Sequence, residues 1–236
     1  MAYRRRQNRG GYRKKRYTRK GATWRTYAGK ALSLAGKQGI KMLKKKLGLN
    51  TENKNWDVTA TQTSTASMAS FLSPTVNLAQ GNTNQTRNGN GIRITHYKFR
   101  GVVYNDSGNT NYQRVRIVFV RQEVLQPVGD FVTPAQLMQD VTNIDSPYNT
   151  DLQGVKVIHD QTYMIKPYST GTIAQTPVKI KWTPGYDEGH VQWSDADTTG
   201  ATTNLTKGLI RGFFMTDQAT LRPFIIGYGR VHFVDN

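Results

Sequence analysis

The first fifty residues hold seventeen Lys and Arg and no Asp or Glu; the first acid is Glu52. Self-repulsion at that density opposes any compact state until a polyanion neutralises it. The whole chain carries 33 basic and 15 acidic residues, which leaves residues 51–236 with 16 basic against 15 acidic. Nearly all of the formal charge of +18 therefore belongs to the opening stretch. The partition predicts a nucleic-acid-binding arm, residues 1–50, followed by a neutral folded body, residues 51–236. A solvated tail, or a nuclear-import signal alone, is the plainer reading of the same run.

The arm has two textures. In the first, Arg4, Arg5, Arg6, Arg9, Arg13, Lys14, Lys15, Arg16, Arg19 and Lys20 are interleaved with Tyr3, Tyr12, Tyr17 and a Gly10-Gly11 pair. Guanidinium forks grip phosphate oxygens, and tyrosine rings stack on unpaired bases. Those basic clusters would also be read by an import receptor. In the second, residues 24–47, Leu32, Ile40, Leu43 and Leu47 share one face of a helical wheel. The basic side chains Arg25, Lys30, Lys37, Lys41, Lys44, Lys45 and Lys46 fall mainly elsewhere on it. Gly29, Gly36 and Gly39 weaken that helix, so it is expected to be marginal by itself. A basic amphipathic helix can lie on a membrane. Beside an arginine-rich tail, it is better read as packing on the body's inner surface and touching nucleic acid; Lys54 is expected to join that basic patch.

A body of roughly 185 residues can bury one substantial core. The chain has no cysteine, which excludes disulfides, thiolate metal sites and cysteine catalysis. The basic N-terminus leads into no apolar segment of the kind a secretory signal needs, and no run reaches the length of a membrane span. These features point to a soluble intracellular product, with the sequons at Asn84, Asn105 and Asn204 as chance matches.

Within the body, Trp56, Val58 and Ala60 alternate and suggest a peripheral strand, and 80–91 is a polar loop by composition. In 92–104, Ile92 and Ile94 set an alternation that resumes out of phase at Tyr97, Phe99 and Val103, which predicts a bulge near His96. Residues 115–120 are apolar at nearly every position, as in a strand covered on both faces. Thr133-Pro134 reads as an N-cap and a first helical proline, opening a short helix to about Val141. Short strands are expected at 155–158, 163–165 and 189–194. A half-buried strand follows from Val178, Ile180 and Trp182 alternating with Lys179 and Lys181. Residues 209–215 and 224–234 complete the set, the last with a break of phase near Gly229. About eight strands with one helix in a long connection point to an all-β chain, an eight-stranded jelly-roll sandwich carrying a basic, partly helical arm.

Catalytic patterns are thin. His96, His159, His190 and His232 each lack a second histidine three to five residues away. The stretch 195–200 begins like a calcium loop, but Thr206 stands where a bidentate Glu is needed. That leaves at most a weak, oxygen-only calcium site at a subunit contact, and no other cofactor is expected. Gly227-Tyr228-Gly229 has His232 in place of the third glycine of a dinucleotide fingerprint. An enzyme, or a sugar-binding jelly roll, would need converging polar or metal-binding residues, and the sequence offers no such group.

A family resemblance runs through the body in order. Gln80-Gly81, Arg87, Gly89 and Ile92-Arg93-Ile94 through Phe99-Arg100-Gly101 resemble the first core strand of small-virus coat proteins. Arg116 to Arg121, the Thr133-Pro134 helix, Val155 to Asp160 and Gly229 to Phe233 continue the series. The chain resembles single-jelly-roll capsid proteins of the satellite-tobacco-necrosis-virus type, as found in many circular, Rep-encoding single-stranded DNA viruses. The likeness implies a T=1 icosahedral shell of sixty copies, formed by self-association, with basic arms turned inward on the genome. It implies a virion protein, assembled in the host nucleus after import by a host receptor, and it favours DNA over RNA. Host and cell-surface receptor are not legible. The competing class is a cellular nucleic-acid-binding β-sandwich with a basic tail.

Overall fold

The computed structural model describes residues 52–125, 130–168, 174–194 and 197–235. Nine strands are present among them: β1 (Asn53–Thr63), β2 (Ala69–Leu72), β3 (Gly91–Tyr104), β4 (Gln113–Val124), β5 (Val155–Ile165), β6 (Gln175–Trp182), β7 (His190–Trp193), β8 (Leu205–Thr216) and β9 (Phe224–Asp235). One short helix, α1 (Pro134–Leu137), lies in the connection between β4 and β5.

All strand pairings are antiparallel, and their order defines two layers. In the first, β9 pairs with β1 on one side and β3 on the other, and β3 continues to β6 and β7. In the second, β8 pairs with β2 and β4, and β4 with β5. A short β7–β8 pairing joins the layers at one corner. They meet through aromatic rings rather than backbone bonds: Phe99 of β3 contacts Phe119 of β4 at 5.6 Å and Phe71 of β2 at 5.9 Å. Successive strands cross between layers at β1–β2, β2–β3, β3–β4, β5–β6, β7–β8 and β8–β9. This is the jelly roll that the strand pattern anticipates.

The two layers differ on their outer faces. Over the second layer, Val132, Leu137, Met138 and Ile144 of the β4–β5 connection bury Val118 and Val120 of β4 and Phe213 and Met215 of β8. That cover explains why β4 is apolar at nearly every position. Arg116 pins the connection down by donating to the carbonyls of Ile144 and Ser146 at 3.0 and 2.7 Å. At its start, the Thr133 hydroxyl accepts from the Gln136 amide, and the Gln136 side chain accepts from the Thr133 amide, a capping box. Among the described residues the first layer has no such cover, and its outer face is mostly polar, with Ile226 and Tyr228 exposed on it.

Several expectations are corrected. The patch at Trp56 is the peripheral strand expected, and it is longer than the alternation shows: β1 runs eleven residues at the sheet edge and pairs with β9 along its whole length. The Ile92 strand is third in the fold, not first, because β2 also precedes it; four residues of Ala, Ser, Phe and Leu carry too little alternation to announce a strand. The stretches 155–158 and 163–165 are one strand; β5 is an edge strand, partly or fully exposed at every position before the buried Ile165, so its apolar pattern is interrupted. Helix α1 stops at Leu137 because Met138 turns extended and bridges to Tyr148. The expected bulge is present, as a register shift between Ile94 and His96 against β9. The phase break at Gly229 is not: Ile225, Gly229, Val231 and Phe233 all face inward. Gly227 and Gly229 sit at inward positions where a Cβ would come within 2.8 Å of the Phe99 ring and 2.9 Å of the Tyr97 hydroxyl. Glycine is needed there for space, and it hides the apolar rhythm.

Candidate nucleic-acid interface

The outward positions of the first layer follow from strand alternation. Along β3, Tyr97 and Phe99 are buried while Lys98 and Arg100 point away; along β6, Val178 and Ile180 are buried while Lys179 and Lys181 are exposed. Pairing then lines these residues up across four strands. One row reads Asp57, Arg230, Lys98, Lys181, and the next Thr59, Tyr228, Arg100, Lys179. Five cations thus share two adjacent rows with a single carboxylate.

Asp57 is committed to Arg230, whose Nε and Nη2 each donate to it at 2.6 Å. That bidentate bond holds the Asp57 carboxyl below its ordinary value and raises Arg230. Lys98, Arg100, Lys179 and Lys181 form no ion pair among the described residues. Lys98 stands directly opposite Lys181, and Arg100 directly opposite Lys179. Like charges directly opposite destabilise a sheet, by roughly 0.2–1 kcal/mol per pair. Between the rows lies an open groove of 210 Å³ lined by Lys98, Arg100, Tyr228, Arg230 and His232. Tyr228 is 44 % exposed on its wall, next to Ile226 at 45 %.

At one end of the rows, His96 and His232 are paired across β3 and β9, and their rings stack at 3.9 Å. Thr95, in the bulge, contacts the His96 Nδ1 at 3.3 Å and donates to the His232 carbonyl at 3.1 Å. Burial lowers the His96 pKa, and Lys98 and Lys181 lower it further. Burial also lowers His232, helped by His96, Lys98 and Arg230 and opposed by Asp57. The bulge makes the pair possible, because without the extra residue His96 would turn toward the core.

The arm residues singled out in the sequence, Tyr3, Arg4, Arg5, Arg6, Arg9, Tyr12, Arg13, Lys14, Lys15, Arg16, Tyr17, Arg19, Lys20, Arg25, Lys30, Lys37, Lys41, Lys44, Lys45 and Lys46, lie outside the described residues, as does the helix expected at 24–47. Lys54 does not join a basic surface. It is 2 % exposed, and its Nζ meets Asp235 at 2.8 Å, the Thr86 carbonyl at 2.9 Å and Asn88 at 2.6 Å. Its register opposite Phe233 turns it inward. Asp197, the described acid of the calcium-like loop, has its oxygens taken by Arg87, Thr199, Gly200 and Asn204. Histidines that look isolated in sequence are therefore brought together in one case, while the loop acid is closed off by a turn. The Lys179/Lys181 alternation signals one charged strand face. No local pattern signals that Lys98, Arg100 and Arg230 lie beside it, because register is set by pairs far apart in sequence.

No protein-family model matches the chain, and neither does any curated protein sequence. Among solved structures, the chain is similar to desmodium yellow mottle tymovirus, with 13 % identity and a TM-score of 0.35, over 78 % of this chain and 87 % of that one. The infectious bursal disease virus Gx strain matches at 11 % identity and a TM-score of 0.16, over 78 % of this chain and 40 % of that one. The VP2 subviral particle of infectious bursal disease virus matches at 11 % and 0.13, over 78 % and 42 %. Likeness at this level identifies no family. The jelly-roll assignment rests on the strand pairing above.

Proposed function

We propose that this chain is a viral coat protein that assembles into a small icosahedral shell and packages a single-stranded genome, DNA in preference to RNA. The observation that carries the reading is the union of a jelly roll with an opening arm that holds almost all of the net charge. A near-neutral body can associate with copies of itself, whereas +17 spread over its contacts would repel them. The arm then supplies the polyanion grip through Arg4 to Lys20 and Arg25 to Lys46, with Tyr3, Tyr12 and Tyr17 stacking on bases. The ordered resemblance to single-jelly-roll coat proteins supplies the shell, the sixty copies and the inward arm. Sixty arms would carry about a thousand positive charges, suited to a genome of roughly one to two thousand nucleotides under partial neutralisation. Assembly in the nucleus, after import through the Arg4 to Lys20 clusters, belongs to the same reading. A weak calcium site at subunit contacts would have to use oxygens other than those of Asp197.

Sedimentation and electron microscopy of the purified protein test this. Closed particles of megadalton mass that protect single-stranded nucleic acid from nuclease are the expected result. A monomer or dimer that binds nucleic acid would instead identify a cellular β-sandwich binder with a basic tail.

A further inference from the structure

We propose that the outer face of the β1–β9–β3–β6 layer, uncovered among the described residues, is a second seat for single-stranded polynucleotide, in addition to the arm. It rests on the packaging reading only for the identity of its ligand. Three features of the face point to that ligand. Lys98, Arg100, Lys179 and Lys181 face one another as like charges with no ion pair among the described residues, a costly arrangement that an anion relieves. Along each strand the two cations are about 6.8 Å apart, which suits successive phosphates of an extended strand. The groove between the rows is walled by the exposed Tyr228 ring, a stacking surface of the kind unpaired bases use, with Arg100 and Arg230 beside it.

A flexible acidic peptide would satisfy the charges but has no use for the ring. A duplex would satisfy the charges while keeping its bases stacked away from Tyr228. The opposite layer offers no equivalent, because the β4–β5 connection seals its outer face. The stacked His96 and His232 border the groove. The groups facing the pair are Asp57, Lys98, Lys181, Arg230 and Thr95. A phosphate placed among these cations would favour the imidazolium form, so seating a strand takes up protons and tightens as pH falls from about 7.5 to 5.5.

Photo-cross-linking of the full-length protein with a single-stranded DNA oligonucleotide bearing 5-iododeoxyuridine tests the site, with adducts mapped by mass spectrometry. Adducts are expected at Tyr228 as well as in residues 1–50. In the Lys179→Glu/Lys181→Glu variant the Tyr228 adducts should fall about fivefold or more, because two phosphate contacts become repulsive. Arm adducts should stay within about twofold under the same rule. Both substituted side chains are exposed, and an unchanged or raised Tm establishes that the variant is folded. Adducts confined to the arm overturn the proposal and leave packaging by the arm standing. Absence of adducts anywhere overturns the packaging reading as well. Displacement from Tyr228 by a poly-Glu peptide or a duplex, as readily as by single-stranded competitor at equal charge, overturns the choice of ligand.

Discussion

Arg87 and Asp197, 110 residues apart in sequence, meet at 2.7 Å with their side chains 0 % and 1 % exposed. Four of the guanidinium's five N–H groups have partners: Nε donates to the Leu78 carbonyl at 3.0 Å, Nη1 to the Gly89 carbonyl, and Nη2 to both the carbonyl and carboxylate of Asp197. Its plane covers the Trp193 ring at 4.5 Å. Burial pushes the Asp197 pKa up, but hydrogen bonds from Asn204, Thr199 and Gly200 outweigh it and the net shift is downward. The pair ties the loop before β3 to the loop before β8, and so fixes the corner where the two layers join.

Asp197→Ala strands a buried cation and opens the turn at Gly200. Removing one partner of a buried pair costs about 3–5 kcal/mol. Urea denaturation should show an unfolding free energy lowered by that amount, seen as a lower midpoint with an unchanged slope. A loss below about 1 kcal/mol, the level of exposed pairs, would show that water reaches Arg87.

The β4–β5 connection gives a milder test. Thr133→Ala removes half of a capping box on a four-residue helix that seats Leu137 against Val118 and Phe213. The expected loss is about 1 kcal/mol in thermal or chemical denaturation. An unaltered Tm would mean that Pro134 and the buried Leu137 hold this segment without the cap.

What the sequence disclosed, and what it hid, follows from the range of the interactions. The bulge at His96 and the Thr133-Gln136 box are local, and both can be read from neighbouring residues. The double cover of β4 is legible because both faces write themselves into one run. Lys54 and Arg87 are deceptive: each looks like a surface cation, and each is buried against a carboxylate more than a hundred residues away. The His96 and His232 stack and the basic rows depend on the register between β3, β6 and β9. That register is set between strands far apart in the chain, and the inward glycines at 227 and 229 erased the rhythm that would have revealed it.

Binding of the full chain to unrelated single-stranded oligonucleotides should be strongly salt dependent. Each neutralised phosphate of a single strand contributes a log–log slope of about −0.7, so engagement of half the arm's charges gives a slope on the order of −6. Stacking by Tyr3, Tyr12 and Tyr17 adds a part that salt does not remove, and a preference for single strands over duplex. The triple Tyr→Ala variant should keep the slope and lose the preference. A shallow slope, or strong discrimination between sequences of equal length, would indicate a specific regulatory binder instead of a packaging arm.

The stacked histidines set the sign of a pH effect on stability. Both have folded-state pKa values below the ordinary 6.5. Above about pH 7 neither the folded nor the unfolded chain holds these protons, and the pair costs nothing. As pH falls through 6.5, the unfolded chain takes up protons that the folded chain resists, so stability declines until the depressed folded values are passed. His159 and His190 are lowered too and add to the same limb. Asp57, Asp160 and Asp197 are also lowered, but from 3.8, so their contribution is lost only in the more acid range below that value. In His96→Gln/His232→Gln, the decline between about pH 7 and 5 should be shallower, while the acid limb below about pH 4 is unchanged. Saturating single-stranded DNA should reverse the first limb in the wild type, because phosphate on the basic rows favours the charged pair. Thermal melts at closely spaced pH values, with and without DNA, read all of this. A wild type and double variant with superimposable profiles would show that the pair is already solvated enough to titrate as free imidazoles.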